Sequence, residues 1–332
     1  MTRVVLADDG FAFDGEAAAI RDHAAACLVA LAEALAARGH KVEARTRGTR
    51  RFDLNGVSWG PIEWNVPKET ELYVVNGSYR LIRLARKARR AVLWVHEPGR
   101  KMLRWGRLSA LARRRPYLVF QGVYHAATYP RWAPGGGRAI IPPTTGAVFR
   151  TSGPVLRPPP PFAIFTARSP RSLDWVLDVW QRHIRPAVPK AQLYVFADAM
   201  PEVVLEKARR LAGDGVVLRE PVAGEALVEE LRQSRVFLHR GDESEVFGMS
   251  TAEAQAMGVP AVACDVTCMR ERIVHGETGH VVRDGDAAAF AGAAMRILTD
   301  DTVWRSQRDA ALRYNRARSW DDVAADFEEL RR

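Results

Sequence analysis

Two glutamates eight positions apart, Glu245 and Glu253, raise the question of chemistry in the stretch ESEVFGMSTAEAQAMGVPAVACD, residues 243–265. They flank a Phe247-Gly248-Met249 turn, and an alanine-rich run behind it reads as a helix from Ser250 to Met257. A buried strand ends just upstream at His239. The free backbone N–H groups of Gly248, Met249, Ser250 and Thr251 would face a ligand there, and the helix dipole favours an anion. Gly248 lets the backbone approach that ligand closely. Two readings of Glu253 stand side by side. Ser250-Thr251-Ala252-Glu253 fits a capping box, with Glu253 folded back on the Ser250 N–H. One turn into an anion-binding helix, the same carboxylate could instead accept hydrogen bonds from a ribose diol. Glu245 shares an acidic loop with Asp242 and Glu243, where solvation competes with ligand contact.

A second basic element bears on that choice. The strand Phe162–Ala167 ends at Arg168, and Arg171 follows in Ser-Pro-Arg. Two guanidiniums opposite a helix N-terminus suit a pyrophosphate, although a structural salt bridge would also account for Arg168. His96 follows the strand Ala91–Val95 and precedes Glu97-Pro98-Gly99. Its strand-end position suits a ligand contact, and a satisfied structural histidine is the competing reading. There is no GxxxxGK[ST] and no GxGxxG after the first strand, which argues against a P-loop nucleotidase or a dinucleotide-dependent dehydrogenase. Cys27, Cys264 and Cys268 complete no CxxC pair or zinc set and read as reduced thiols.

The elements that must position these residues alternate between strand and helix. Strands are expected at Arg3–Ala7, Val42–Arg45, Leu72–Val75, Ala91–Val95, Tyr117–Phe120 and Ala139–Ile141. A long helix runs over Glu16–Arg38, and a basic helix starts near Tyr79. After a Pro-rich run the alternation restarts with strands at Phe162–Ala167, Gln192–Ala197, Val216–Leu218, Arg235–His239 and Ala261–Cys264. Helices at Leu173–Ile184, Glu202–Leu211, Gly224–Gln233 and from Trp320 accompany them. This predicts an α/β chain of two Rossmann-like, doubly wound domains facing across a cleft, since ligands bind at the carboxyl ends of such strands. The expected division is 1–150, a Pro-rich linker 151–161, 162–303, and C-terminal helices 304–332 that could pack back on the first domain.

The chain of 332 residues carries a net charge of +10. Basic residues crowd Arg80–Arg115, interleaved with Trp94, Met102, Leu103, Trp105 and Leu108. An anionic membrane surface or an acidic acceptor would suit such a patch, as would a merely solvated face. No zinc-finger, helix-turn-helix or RNP pattern supports nucleic acid. The N-terminus lacks the layout of a signal peptide, and no run reaches the roughly 18 apolar residues of a membrane span. A cytoplasmic protein, peripheral on the inner face of the membrane, is the expectation.

In this order and spacing the residues resemble the retaining GT-B glycosyltransferases of family four. Glu245-Val-Phe-Gly-Met-Ser-Thr-Ala-Glu253 is similar to that family's E, seven residues, E motif, and Ala254–Asp265 to the continuation EAMAxGxPVVAxD. ERIVHGETGHVV (271–282) is similar to EIVxDGxTGxLV, and LAARGHKV (35–42) to the first helix-to-strand turn. The resemblance implies a sugar moved from a UDP- or GDP-sugar to a hydroxyl of a glycan or lipid-linked acceptor. Glu253 would hold the ribose, and Glu245 the donor sugar. Arg168, Arg171 and the amides of Gly248–Thr251 would hold the diphosphate, with Phe247 in the same turn. Arg219–Val222 would lie along the base, and His96 would approach the sugar. No cofactor or metal is implied. This sequence departs from the family in placing Arg171 where a lysine is common, and His239-Arg240 for Pro-Ser. It also has Thr267-Cys268 for Gly-Gly and Asp8-Asp9-Gly10-Phe11 for the first glycine loop. A sugar-nucleotide epimerase or hydrolase on the same fold, or a non-catalytic nucleotide-sugar binding subunit, are the alternatives.

Overall fold

The computed structural model describes residues 2–15, 20, 22–64, 66–67, 69–153, 155–197 and 199–331, with Trp64 described by its backbone alone. The chain divides into two compact units, residues 1–144 with 318–332 and residues 145–317.

The first unit is built on an eight-stranded sheet. Its strands are β1 (Arg3–Ala7), β2 (Lys41–Thr46), β3 (Phe52–Leu54), β4 (Val57–Pro61), β5 (Glu69–Asn76), β6 (Lys87–Trp94), β7 (Tyr117–Phe120) and β8 (Gly137–Ile140), in the order β3-β4-β2-β1-β5-β6-β7-β8. Every described pairing is parallel except the β3–β4 hairpin. The central strands read as near-continuous apolar runs because both faces are covered. Helix α1 (His23–Ala37) covers one face; Asp22 caps it by accepting from the Ala25 N–H at 2.8 Å. Shorter helices are α2 (Trp105–Arg114) and α3 (Val123–Ala127). The last helix of the chain, Trp320–Glu329, also belongs here. Its Phe327 is fully buried, with its ring centroid 5.0 Å from that of Trp94.

The second unit opens with α4 (Ala147–Thr151) and carries a six-stranded, all-parallel sheet in the order β11-β10-β9-β12-β13-β14. In chain order these are β9 (Phe162–Phe165), β10 (Gln192–Phe196), β11 (Val216–Arg219), β12 (Val236–His239), β13 (Ala261–Cys264) and β14 (Gly279–Val282). They alternate with α5 (Pro170–Val179), a π-turn at Trp180–Ile184 leading into α6 (Arg185–Ala187), then α7 (Glu202–Arg210) and α8 (Gly224–Arg232). Next come α9 (Met249–Ala256), α10 (Met269–Arg272), α11 (Ala287–Thr299) and α12 (Asp301–Arg316). The chain then returns to the first unit through the Trp320–Glu329 helix, α13.

Several sequence expectations are corrected. No basic helix starts near Tyr79: residues Tyr79–Arg83 form a single 3₁₀ turn, and Lys87, Arg89 and Arg90 lie on β6. Pairing with β5, which sets Glu69 opposite Lys87, extends the strand past its apolar part. The β3–β4 hairpin, marked by Asn55-Gly56, is not among the expected elements. Both residues have positive φ, 50° and 77°, as a tight hairpin turn requires. The expected helix Glu16–Arg38 begins only at His23; Glu16–Ala19 and Arg21 lie outside the described residues, as does Pro154 of the expected linker. Trp94 and Met102, counted among the aromatic and apolar residues of the basic patch, are core residues, whereas Trp105 is 86% exposed. The three cysteines are buried, and none forms a disulfide among the described residues.

Candidate functional site

The carboxyl ends of β9 and β12 bring together side chains far apart in sequence. His239, the last residue of β12, is fully buried, and its Nε2 lies 2.7 Å from Glu245 Oε2. A carboxylate only accepts, so Nε2 carries the proton and donates. Ser172 Oγ accepts from the Arg240 N–H at 2.9 Å, and its own hydroxyl proton is thereby directed to His239 Nδ1 at 3.0 Å. Ser169 Oγ accepts from the Ser172 N–H as the cap of α5 and donates to Asp242 Oδ2 at 2.8 Å. Burial works against the Asp242 carboxylate, but donors from Ser244 and Ser169 outweigh it and hold its pKa below the ordinary value. The 240–248 loop is thus pinned from β12 and α5. Glu245 Oε2 also accepts the Asp242 N–H at 3.1 Å, and among the described residues no donor is bonded to Oε1.

The helix after this loop starts one residue earlier than expected. Gly248 is its N-cap, at φ 77°, and no side chain caps it. The capping box is therefore not formed: Ser250 and Thr251 lie inside the first turn, and Glu253 does not fold back. Only a residue at ease in the left-handed region can make this turn, and a Cβ at Gly248 would come within 2.7 Å of Met269 Cε. Thr251 is fully buried, its hydroxyl against Met269 Sδ at 3.8 Å, while Met249 and Ser250 are half-buried. Phe247 is buried under the Arg272 guanidinium, whose Cζ stands 4.3 Å from the ring centroid. Glu253 is half-buried with no donor bonded to it among the described residues, and burial raises its pKa to about 7. A carboxyl in that state waits for a hydrogen-bond donor.

The remaining site residues of this unit scatter more. Arg168 is exposed in the turn between β9 and α5. Arg171, in the first turn of α5, forms an exposed ion pair with Glu243 at 3.0 Å. Arg219 ends β11, pairs with Glu230 at 2.8 Å and stacks on Tyr194 at 4.6 Å. Val222 lies half-buried in the loop before α8. Thr267 adopts φ 54°, a conformation a glycine would take without strain, and its hydroxyl donates to the Asp242 carbonyl at 3.2 Å.

In the first unit His96 lies just beyond β6, with both ring nitrogens occupied. Asn76 Nδ2 donates to Asp8 Oδ2 (2.6 Å) and to the Ala24 carbonyl, so Asn76 Oδ1 is the acceptor for His96 Nε2–H at 2.6 Å. Gln121 Nε2 donates to His96 Nδ1, also at 2.6 Å. Burial, with His23 and His125 nearby, holds His96 well below the ordinary imidazole pKa and keeps it neutral at pH 7. Asp8 itself accepts the Gly10 N–H, so the loop that departs from a glycine pair is anchored by its aspartate.

Sequence reasoning missed His239, Ser172 and Arg272. The one signal for His239 was its place at the end of the apolar strand Val236-Phe-Leu; the other two offer none. No group of three or more His, Cys, Asp or Glu side chains is placed to hold a metal ion among the described residues.

Comparison with known proteins shows what this geometry is similar to. The model of the group 1 glycosyl transferases matches residues 160–300, so the second unit carries a group 1 glycosyltransferase domain. Over 128 residues (38% of the chain) it is 34% identical to the D-inositol 3-phosphate glycosyltransferase of Streptomyces coelicolor. Over 161 residues it is 30% identical to the phosphatidyl-myo-inositol mannosyltransferase of Mycobacterium leprae. These matches span 28% and 41% of the two relatives' own lengths. The solved structure of Anabaena Alr3699/HepE in complex with UDP and glucose superposes with a TM-score of 0.74, covering 99% of each chain at 13% identity. The fold is GT-B.

Proposed function

We propose that this chain is a retaining glycosyltransferase that moves a sugar from a UDP- or GDP-sugar to a hydroxyl of a glycan or lipid-linked acceptor. The reading fits the assembly of cell-surface polysaccharide, lipopolysaccharide or glycolipid. The observation that carries it is the state of the two glutamates on either side of an uncapped helix end. Glu245 is held by His239 through one oxygen with the other open, and Glu253 is desolvated without a donor. Glu253 would accept from the ribose, Glu245 from the donor sugar, and the N–H groups of Met249, Ser250 and Thr251 would face the diphosphate. Breaking the sugar–phosphate bond leaves its electron pair on a phosphate oxygen. Donors fixed at that position lower the barrier without a metal. The acceptor hydroxyl oxygen bonds to the anomeric carbon, and its proton leaves with the diphosphate.

In the first unit the neutral, doubly bonded His96 is suited to shaping the acceptor side rather than exchanging a proton. The relatives matched over the second unit include a phosphatidyl-inositol mannosyltransferase by name. A lipid-linked acceptor would agree with the exposed Trp105 among the arginines of Arg80–Arg115, which we read as resting on anionic lipid at the cytoplasmic face. No described helix is long and apolar enough to cross a membrane.

The test begins with a thermal-shift panel of nucleotides and nucleotide sugars, followed by calorimetry on Glu253→Ala. Loss of a ribose contact predicts nucleotide affinity down by tenfold or more with the fold kept, and unchanged affinity removes the ribose role. Proton NMR of the product anomer, and transfer measured with chelator present, decide the retaining and metal-independent parts.

A further inference from the structure

The diphosphate end of this site carries a cation that neither the motif order nor the family match points to. Arg272, the last residue of α10, lies over Phe247 and beside the N-cap of α9: its Cγ is 3.2 Å from where a Cβ at Gly248 would stand. Its Nε is shut off from solvent and makes no hydrogen bond, and no ion pair is formed by the guanidinium among the described residues, although the neighbouring Glu271 carboxylate favours its charge. Arg272 as a whole is half-buried, and the arginines that are buried outright are each held by a carboxylate. Arg45 is held by Glu43 at 2.7 Å, Arg235 by Asp301 at 2.5 Å and Arg240 by Asp284 at 2.7 Å. A guanidinium whose Nε is desolvated without a hydrogen-bond partner is better satisfied when an anion comes to it. Burial already depresses its pKa. The adjacent feature is an uncapped helix start, which attracts an anion in its own right. Arg171 is meanwhile turned to Glu243 on the surface.

We infer that Arg272 is a diphosphate-binding residue, its guanidinium and the first-turn N–H groups of α9 closing on the same phosphate from two sides. This rests on the donor-site reading above and adds to it the residue that supplies the missing positive charge. A planar fork of donors suits two phosphate oxygens at once, which an ammonium cannot match. The stacking on Phe247 would hold the fork in place before the ligand arrives.

The test is calorimetry of UDP, GDP and inorganic pyrophosphate on the full chain and on Arg272→Gln, with melting temperatures in parallel. We expect the variant to melt at or above the wild-type temperature without ligand, since it loses a half-buried charge that forms no ion pair among the described residues. Its affinity for pyrophosphate and for the nucleoside diphosphate that binds should fall at least tenfold, and the ligand-induced rise in melting temperature should shrink accordingly. Arg272→Lys, which keeps the charge but not the fork, should recover only part of that affinity, and it serves as the test if the glutamine variant does not fold. A variant that loses melting temperature but binds these ligands as the wild type does would make Arg272 structural and overturn the inference, leaving the donor-site reading intact. A wild-type chain that binds none of the three would overturn both.

Discussion

A carboxyl that titrates near pH 7, as Glu253 does, leaves a signature in both stability and binding. Its folded pKa lies above the ordinary 4.5. Between about pH 4.5 and 7 the unfolded chain has released this proton while the folded chain keeps it. Stability therefore falls as pH rises through that window, with a slope of up to about 1.4 kcal/mol per pH unit from this one group. Glu253→Gln should flatten that part of the urea-derived stability profile. If ribose hydroxyls donate to the carboxylate, they favour its ionised form, so donor binding near pH 6.5 should expel a proton. Calorimetry with UDP-glucose in two buffers of different ionisation enthalpy measures this; identical heats in both would argue against the contact. His239 is different in kind. Its protonation pattern follows from partners 67 residues back at Ser172 and six ahead at Glu245, and no local motif contains all three.

At the scale of elements, the decisive one is α9 and the turn before it. Gly248→Ala forces a side chain into a left-handed conformation and toward Met269 and Arg272. The conformational term alone should cost about 1–2 kcal/mol, lowering the melting temperature of the second unit by several degrees. Nucleotide affinity should fall as well, because the first-turn N–H groups move with the cap. A fluorescence melt and a binding isotherm on one sample separate the two effects. The same element shows why the capping-box reading failed. Ser250-Thr251-Ala252-Glu253 has the right letters, but the box needs Ser250 outside the helix. A glycine two places earlier starts the helix at Met249 instead. In the first unit the error at Tyr79–Arg90 has a similar origin. The charges on Lys87, Arg89 and Arg90 hide a strand whose extension depends on β5 beside it.

At the scale of the whole molecule, the chain ends by returning to its first unit. Arg38, just after α1, grips α13 through Asp321 at 2.8 Å and Glu328 at 2.7 Å, and His40 joins at 2.6 Å. The Arg38 and His40 hydrogen bonds hold the Glu328 pKa down to about 2, against a partial desolvation penalty. That stabilisation is complete above about pH 4.5 and is lost as pH falls toward 2. Glu328→Gln should weaken the docking of α13 by about 0.5–1 kcal/mol at neutral pH, as part-exposed pairs do. It should also remove this part of the acid transition followed by near-UV circular dichroism. The net charge of +10 is a property of the same scale. Flotation on vesicles with and without anionic lipid should show binding that depends on the anionic fraction and fades between low and physiological salt, within the screening range of surface charges. Binding indifferent to both would remove the electrostatic account of Arg80–Arg115.

Much of this protein is determined by short-range pattern. Apolar runs bounded by glycine, proline and charge specify most strands of both sheets, because a strand buried on two faces must be apolar throughout. The spacing from Glu245 to Glu253 around Gly248 marks the candidate site for the same local reason: a tight turn into a helix is written in consecutive residues. What the tertiary structure alone decided is the electrical state of those residues. Burial sets the proton on Glu253, Ser172 and Glu245 set the tautomer of His239, and Asn76 with Gln121 occupy His96. Arg272 is left without an ion pair, among the described residues, beside the helix end. Desolvation and hydrogen-bond partnership depend on which distant segments pack together, and packing of that kind has no period and no motif to be read along the chain.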